Sequence, residues 1–233
     1  MNATAKGQRA NRTKITAHSG CDGTRDNSRE YIDYALKLDV DCFEVDVRRG
    51  KDGALILAHD PAEGGLPLAD ALGALRAHPN KRINLDFKEV GLEGDAWALA
   101  RRMQVADQLI VSGTVAADAK VAFSRIHWYM NLELIDEGVM RPGYFAQLSP
   151  EEVSAIAARI DGARIAANAV CLNANHTISH TPLYLALRRL YAPISVWTPS
   201  EEEGIRRFLS DGVYNITTRS ASLACALRKE MQG

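Results

Sequence analysis

The chain is predicted to fold as an α/β protein, a single-domain (β/α)8 TIM barrel. Its 233 residues, 46% of them hydrophobic, suit one sizeable core. Short apolar strands alternate with helical stretches in about eight units, which implies a mostly parallel sheet closed into a barrel. Acidic and histidine residues recur at the predicted strand ends. Residues 1–12 are predicted to be a flexible, polar lead-in, and residues 13–233 the barrel.

In the first half of the chain, each predicted strand is a short apolar run, and each predicted helix has apolar residues at helical spacing. Lys51-Asp52-Gly53 is a turn signal, which joins the second strand to the third in a hairpin-like excursion. The predicted strands are residues 15–17, 42–47, 54–58, 82–87 and 108–111, and the predicted helices are residues 27–38, 68–77 and 94–106.

Two helix starts stand out in the second half. Ser149 precedes Pro150 and an acidic pair, which predicts a capped helix with proline at its first position. Ser200, followed by three glutamates, is predicted to open another capped helix. The other predicted strands are residues 126–131, 166–172, 194–197 and 213–217, and the other predicted helices are residues 116–123 and 220–229.

Composition excludes several classes of partner. The net charge is −1, with 28 basic and 29 acidic residues, so neither nucleic acid nor an anionic membrane surface is an expected partner. The lead-in lacks an apolar core, and no apolar run is long enough for stable membrane anchoring, which favours a cytoplasmic enzyme with a small-molecule substrate. The four cysteines form no CxxC pair and are expected to be free thiols.

Glu44 and Asp46 are the most informative residues. They lie two apart in an apolar run, so both point to one face of a strand. Unpaired buried carboxylates are costly, and a hard divalent cation is the ligand that carboxylate oxygens prefer. Asp86 and Lys88 repeat the same spacing on a later strand, where Asp86 could complete the site and Lys88 could neutralise a phosphate oxygen. The alternatives are a surface-facing acidic edge and an internal Asp86–Lys88 ion pair.

Two histidines complete the predicted chemistry. His18 ends the first strand, and His59 follows the third. A phosphodiester needs one group that activates the nucleophile and another that protonates the leaving alkoxide, and two imidazoles on opposite sides of a phosphate can do both. Asn173 is expected on the rim of the pocket, and Trp197 either walls the substrate or belongs to the core.

At this point the sequence resembles the glycerophosphodiester phosphodiesterase family, within the barrel phosphodiesterase superfamily that includes phosphatidylinositol-specific phospholipase C. The resemblance spans roughly residues 15 to 220 and is most specific in its first third. It is carried, in order, by Ala17-His18-Ser19-Gly20, Asp26-Asn27-Ser28, Glu44-Val45-Asp46-Val47, Lys51-Asp52-Gly53, Ala58-His59-Asp60, Asp86-Phe87-Lys88, Ile194-Ser195-Val196-Trp197-Thr198 and Gly212-Val213-Tyr214-Asn215.

The resemblance implies hydrolysis of a glycerophosphodiester to an alcohol and sn-glycerol 3-phosphate, with Mg²⁺ or Ca²⁺ as cofactor. It implies metal ligation by Glu44, Asp46 and Asp86, acid–base catalysis by His18 and His59, and a phosphate contact from Lys88. Each of these roles follows from a family motif that the sequence matches.

The sequence departs from the family pattern at two positions. The family arginine after the first histidine is Ser19 here, so either another cation, such as Arg48 or Lys88, replaces its charge or the substrate differs. The last motif carries Arg219 where the family has an acid. Two alternatives therefore stay open: a non-catalytic barrel that binds a phosphorylated ligand, and a related phospholipase D or lyase-type enzyme that forms a cyclic phosphate.

Overall fold

Parallel strands close into a barrel in the computed structural model, which describes residues 12–62, 64–115 and 127–233. Strand β1 pairs with both β2 and β10, which joins the two ends of the parallel sheet. The single-domain barrel predicted from the sequence is thus confirmed as a fold. In chain order the strands are β1 (Lys14–Ala17), β2 (Cys42–Arg49), β3 (Leu55–Leu57), β4 (Leu66–Pro67), β5 (Arg82–Phe87), β6 (Leu109–Gly113), β7 (His127–Asn131), β8 (Cys171–Asn175), β9 (Ile194–Trp197) and β10 (Asn215–Thr218).

Strands β3 and β4 stand outside the barrel. Strand β3 pairs antiparallel with the end of β2, and β4 pairs antiparallel with β3. Gly53, at a φ of 84°, makes the turn between β2 and β3 possible because only glycine adopts that conformation at low cost. The hairpin excursion was predicted from the sequence, and it carries the chain to His59 beside the barrel mouth.

Helices cover the outside of the barrel. The capping box expected at Ser149 forms: its hydroxyl accepts from the Glu152 amide, and the Glu152 carboxylate accepts from the Ser149 amide. The helices are α1 (Arg29–Ala35), α2 (Leu68–Leu75), α3 (Glu93–Arg102), α4 (Pro150–Ala166), α5 (Pro182–Arg189), α6 (Glu202–Asp211) and α7 (Ala221–Gln232).

The two faces of β2 explain how the barrel positions acids at its mouth. Phe43, Val45 and Val47 are fully buried and pack in the main hydrophobic core. Side chains alternate along a strand, so Glu44 and Asp46 take the opposite face, which is the barrel interior. The apolar outer face therefore fixes the direction of both carboxylates.

Three predicted elements need comment. Residues 166–172 are not one strand: Ala166 ends α4, and β8 begins only at Cys171. Ser200 does not cap α6, whose N-cap residue is Glu201 without a capping side-chain bond. The helix predicted at 116–123 lies outside the described residues, as does most of the predicted lead-in.

Two further sequence predictions concern the whole chain. All four cysteines are free thiols, as expected. Among the described residues, no helix combines the length and the apolar character that crossing a bilayer requires.

Candidate active site

Three carboxylates meet at the barrel mouth. In the pairing of β2 with β5, Asp46 lies beside Asp86 and Glu44 lies beside Asn84. One ligand atom from each of Glu44, Asp46 and Asp86 falls within 4.8 Å of the others. Parallel neighbours in register produce this convergence, because equivalent positions of adjacent strands face the same side. The three acids proposed from the sequence are therefore together in space.

Lys88 supplies the local positive charge. Its Nζ lies 2.8 Å from Asp46 Oδ1 and 2.5 Å from Asp86 Oδ2. The internal ion pair considered as an alternative for Asp86 and Lys88 is present, and Lys88 spans both acids. The two carboxylates raise the pKa of Lys88 well above its ordinary value against the effect of burial, so the ammonium stays charged.

Uncharged donors bind the second carboxylate oxygen of Asp46, Oδ2. Its Oδ2 accepts from Asn27 Nδ2 at 2.7 Å and from Ser19 Oγ at 3.2 Å, and its amide donates to Asn27 Oδ1 at 2.9 Å. Burial pushes the pKa of Asp46 up, but the Lys88 ammonium and the Asn27 amide together hold it below its ordinary value. Asp46 is thus fixed as a carboxylate.

Glu44 has a different environment. Burial and the neighbouring charges of Asp46 and Asp86 raise the pKa of Glu44 to about 7, against an opposing contribution from His18. Its Oε2 accepts from the Ser19 amide at 3.2 Å and lies 3.8 Å from His18 Nε2. A divalent cation would remove this accumulation of negative charge, and three hard oxygen donors fit Mg²⁺ or Ca²⁺.

The two histidines are oriented by different partners. His18 Nδ1 lies 3.0 Å from the Ser19 carbonyl oxygen, and His59 Nδ1 lies 3.0 Å from Asp60 Oδ1. Both partners only accept, so the proton sits on Nδ1 in each neutral ring and Nε2 is left for chemistry. The carboxylate of Asp60, the next residue in the chain, therefore orients the His59 ring.

One cavity of about 460 Å³ brings the site residues together. Asn173 is buried in its wall, and its Nδ2 donates to Asn131 Oδ1 at 2.8 Å. Trp197, at the end of β9, is half-buried and lines the same cavity, which favours the wall over the core. We call this space the barrel-mouth cavity; the sequence-predicted residues that line it directly are His18, Glu44, His59, Asp86, Lys88, Asn173 and Trp197.

Arg219 is the residue that sequence reasoning missed. It follows β10, lines the barrel-mouth cavity and forms a bidentate ion pair with Asp26, with N–O distances of 2.8 and 2.9 Å. Arg48, one of the two cations considered as a replacement for the family arginine, instead pairs with Glu89 and donates to the His59 carbonyl. Ser19 itself is fully buried against the acids.

Solved structures match the chain over nearly its whole length. A candidate glycerophosphoryl diester phosphodiesterase from Agrobacterium tumefaciens has a TM-score of 0.73 at 16% identity, over 94% of this chain and 98% of that one. A glycerophosphodiester phosphodiesterase from Thermotoga maritima has a TM-score of 0.63 at 17% identity, over 92% and 98%. A phosphodiesterase from Oleispira antarctica, in complex with the product sn-glycerol-3-phosphate, has a TM-score of 0.65 at 14% identity, over 93% and 96%.

These likenesses establish that the chain has the barrel fold of those proteins. No protein-family model matches the sequence, and no curated protein matches it either. The function of this chain therefore has to be inferred from the residues of the candidate site.

Proposed function

We propose that the chain is a metal-dependent phosphodiesterase that hydrolyses glycerophosphodiesters to an alcohol and sn-glycerol 3-phosphate. The observation that carries this proposal is the convergence of Glu44, Asp46 and Asp86, within 4.8 Å of one another. Glu44 and Asp86 line the barrel-mouth cavity together with His18 and His59. The fold shared with glycerophosphodiester phosphodiesterases supports it. The proposed partner is a small phosphodiester, and the proposed location is the cytoplasm.

The three acids would hold the cation, Mg²⁺ or Ca²⁺. When bound, the cation draws charge from the phosphoryl oxygens and so favours attack on phosphorus. Lys88 and Arg219 would bind the same phosphate through their N–H donors. Arg219 would thereby supply the guanidinium that Ser19 lacks.

The imidazoles would move the protons. One neutral imidazole would accept a proton from water at Nε2 as the water oxygen bonds to phosphorus, and the other, starting as an imidazolium, would donate its Nε2 proton to the alkoxide as the P–O bond breaks. Asp60 holds the His59 ring, while the Ser19 carbonyl holds His18. Either assignment of acid and base balances the protons. If a substrate hydroxyl replaces water as nucleophile, the product is a cyclic phosphate.

A substrate panel tests the proposal. Glycerophosphocholine, glycerophosphoethanolamine, glycerophosphoinositol and a chromogenic diester are incubated with the protein in Mg²⁺ or Ca²⁺, with and without chelator. We expect chelator-sensitive turnover, and phosphorus NMR of the product separates hydrolysis from cyclisation. Binding of these diesters without any turnover would favour the non-catalytic alternative.

A single substitution tests the site. Glu44→Gln removes one metal-coordinating charge and should lower kcat strongly, by about 100-fold or more. Glu230→Gln is the matched control: it removes an exposed carboxylate that pairs with Arg206 on the surface. An unchanged rate for Glu44→Gln at saturating metal would refute the assignment of the site.

A further inference from the structure

A second cavity adjoins the barrel-mouth cavity. Its volume is about 530 Å³, and its walls come from residues 132–146, after β7, and residues 174–182, after β8. We call it the apolar chamber because hydrophobic side chains dominate its wall. They are Leu132, Val139, Met140, Tyr144, Phe145, Ile178 and Trp197, and two prolines and two alanines also line the chamber.

Two residues line both cavities and so form the boundary between them. Glu133 and Trp197 each contribute to the barrel-mouth cavity and to the apolar chamber. Glu133 Oε1 accepts from Asn131 Nδ2 at 2.8 Å, and Asn131 in turn accepts from Asn173. This chain of hydrogen bonds fixes the polar side of the boundary, while the Trp197 indole supplies the apolar side.

Exposed hydrophobic residues accompany the two cavities. Met140 is 69% exposed and lines the apolar chamber, and Leu134 is 48% exposed and lines the barrel-mouth cavity. Single exposed hydrophobic residues are ordinary on protein surfaces. These two lie on the same short segment, and each contributes to a cavity wall. Water in contact with them and with the chamber wall would be displaced by an apolar ligand at a gain in free energy.

We infer that the apolar chamber binds a hydrocarbon chain carried by the phosphodiester substrate. The inference rests on the proposed function, and it narrows the substrate class to amphiphilic diesters. The phosphate would lie in the barrel-mouth cavity against Lys88, and the chain would pass the Glu133–Trp197 boundary. The chain has two possible chemical sources: an acyl group on the glycerol, or the hydrocarbon part of the departing alcohol.

Chain length is the direct test. Two series are compared at concentrations at which they stay monomeric: glycerophosphocholine acylated with four, six, eight or ten carbons, and glycerophosphate esters of alkyl alcohols of the same lengths. Each methylene that leaves water should raise kcat/KM by roughly fourfold until the chamber is full. The series that rises identifies the source of the chain. Calorimetric binding of each compound to the metal-loaded protein is measured in parallel.

Met140→Glu places a charge in the chamber wall at an exposed position, where folding should tolerate it. It should remove most of the chain-length dependence and leave turnover of the unacylated diester unchanged. Leu185→Glu is the matched control, because Leu185 is also exposed, at 53%, but does not line the chamber. The control should keep the dependence.

The outcomes separate the two proposals. If short diesters are turned over but neither rate nor affinity depends on chain length, the proposal that the apolar chamber binds a hydrocarbon chain is overturned. The proposed phosphodiesterase activity is then retained. Affinity that rises with chain length and is lost in Met140→Glu, without any turnover, supports the chamber and overturns the phosphodiesterase. If neither turnover nor length-dependent affinity is observed, both proposals are overturned.

Discussion

His59 owes its orientation to Asp60. The His59 side chain is 63% exposed, so packing restrains it little, and its Nδ1 contact with Asp60 is the restraint that fixes the ring. The pairing sets the tautomer and would stabilise the imidazolium during proton transfer. Asp60 is therefore a positioning residue, while His59 is the residue that would touch the substrate.

Asp60→Asn should lower kcat/KM by roughly 10- to 100-fold, because an amide can also donate to Nδ1 and so permits the wrong tautomer. Asp60→Glu should recover part of the loss. The pH profile of kcat/KM is the decisive measurement, since loss of a positioning residue alters the profile and a merely structural defect does not. A fall in rate with an unaltered pH profile in Asp60→Asn would contradict this role.

Arg219 illustrates why one site residue escaped sequence reasoning. In the sequence, Arg219 was interpreted as the loss of a family acid. In the structure, Arg219 lines the barrel-mouth cavity together with His18. The two come together because β1 pairs with β10, with Ala17 beside Thr218. A pairing between strands 200 residues apart leaves no local pattern in the sequence. The proposed replacement of the family arginine by Arg219 is therefore visible only in three dimensions.

Arg219→Gln should raise KM for the diester by roughly 10-fold, because a charge-assisted contact to phosphate is lost. Asp26→Asn is the matched comparison, since it breaks the same ion pair and keeps the guanidinium. If Arg219 served only the ion pair with Asp26, both variants would behave alike in KM. We expect Asp26→Asn to retain substrate affinity.

At the scale of elements, α7, the last helix of the fold, is attached to the beginning of the barrel through one side chain. Arg228 is 1% exposed, and its guanidinium donates to the carbonyl oxygens of Thr13 and Asp39 and to the Asp41 carboxylate. Asp41 also accepts from the Ile15 amide at 2.8 Å. One buried side chain thus connects α7 to β1 and to the segment that leads into β2.

Arg228→Met should lower the free energy of unfolding by about 1–3 kcal/mol, because the carbonyl of buried Thr13 and the half-buried Asp41 carboxylate lose their donor. The measurement is equilibrium urea denaturation. Arg206→Met, which removes a partly exposed guanidinium that forms surface ion pairs on α6, is the control and should leave the unfolding midpoint nearly unchanged. Equal effects of the two substitutions would contradict the connecting role of Arg228.

Element boundaries were predictable where local chemistry decides them. Ser149 and Pro150 mark the start of α4 in the sequence, and the capping box forms there. The next strand was predicted to begin at Ala166 but begins at Cys171, because the alanines around Ala166 have high helix propensity and belong to α4. Asn168, at a φ of 55°, then turns the chain before β8. The apolar run from which the strand was predicted contains no sign of the helix end or of this turn.

At the scale of the whole molecule, a cation held by the acid cluster would couple metal binding to stability. A cation that binds the folded barrel alone stabilises it by about 2.7 kcal/mol at 100 times its Kd. For a chain of this size that corresponds to a rise in Tm of roughly 5–10 °C. Thermal unfolding in Ca²⁺, in Mg²⁺ and in chelator measures it.

Asp46→Asn should abolish most of this rise, while Glu230→Gln should keep it. Equal melting temperatures in metal and in chelator for the unsubstituted protein would contradict a metal site at the barrel mouth. This measurement needs no substrate and is therefore independent of the proposed activity.

The global fold was the most predictable property. A barrel follows from the alternation of strands and helices, and the acids on β2 and β5 follow from a period of two against an apolar outer face. The apolar chamber was not foreseen, because its wall consists of 3₁₀ turns between Leu132 and Ala146 that have no regular hydrophobic period. Regular elements leave periodic patterns in a sequence, and irregular walls do not.

The pairing of β1 with β10 has a consequence for synthesis of the chain on the ribosome. His18 is made well before the strand that delivers Arg219 to the same cavity, and α7 reaches back to Thr13 only afterwards. A nascent chain that lacks β10 is an open sheet with two unpaired edges and lacks one cation of the proposed phosphate site. Completion of the ring and the onset of the proposed activity should therefore coincide in time.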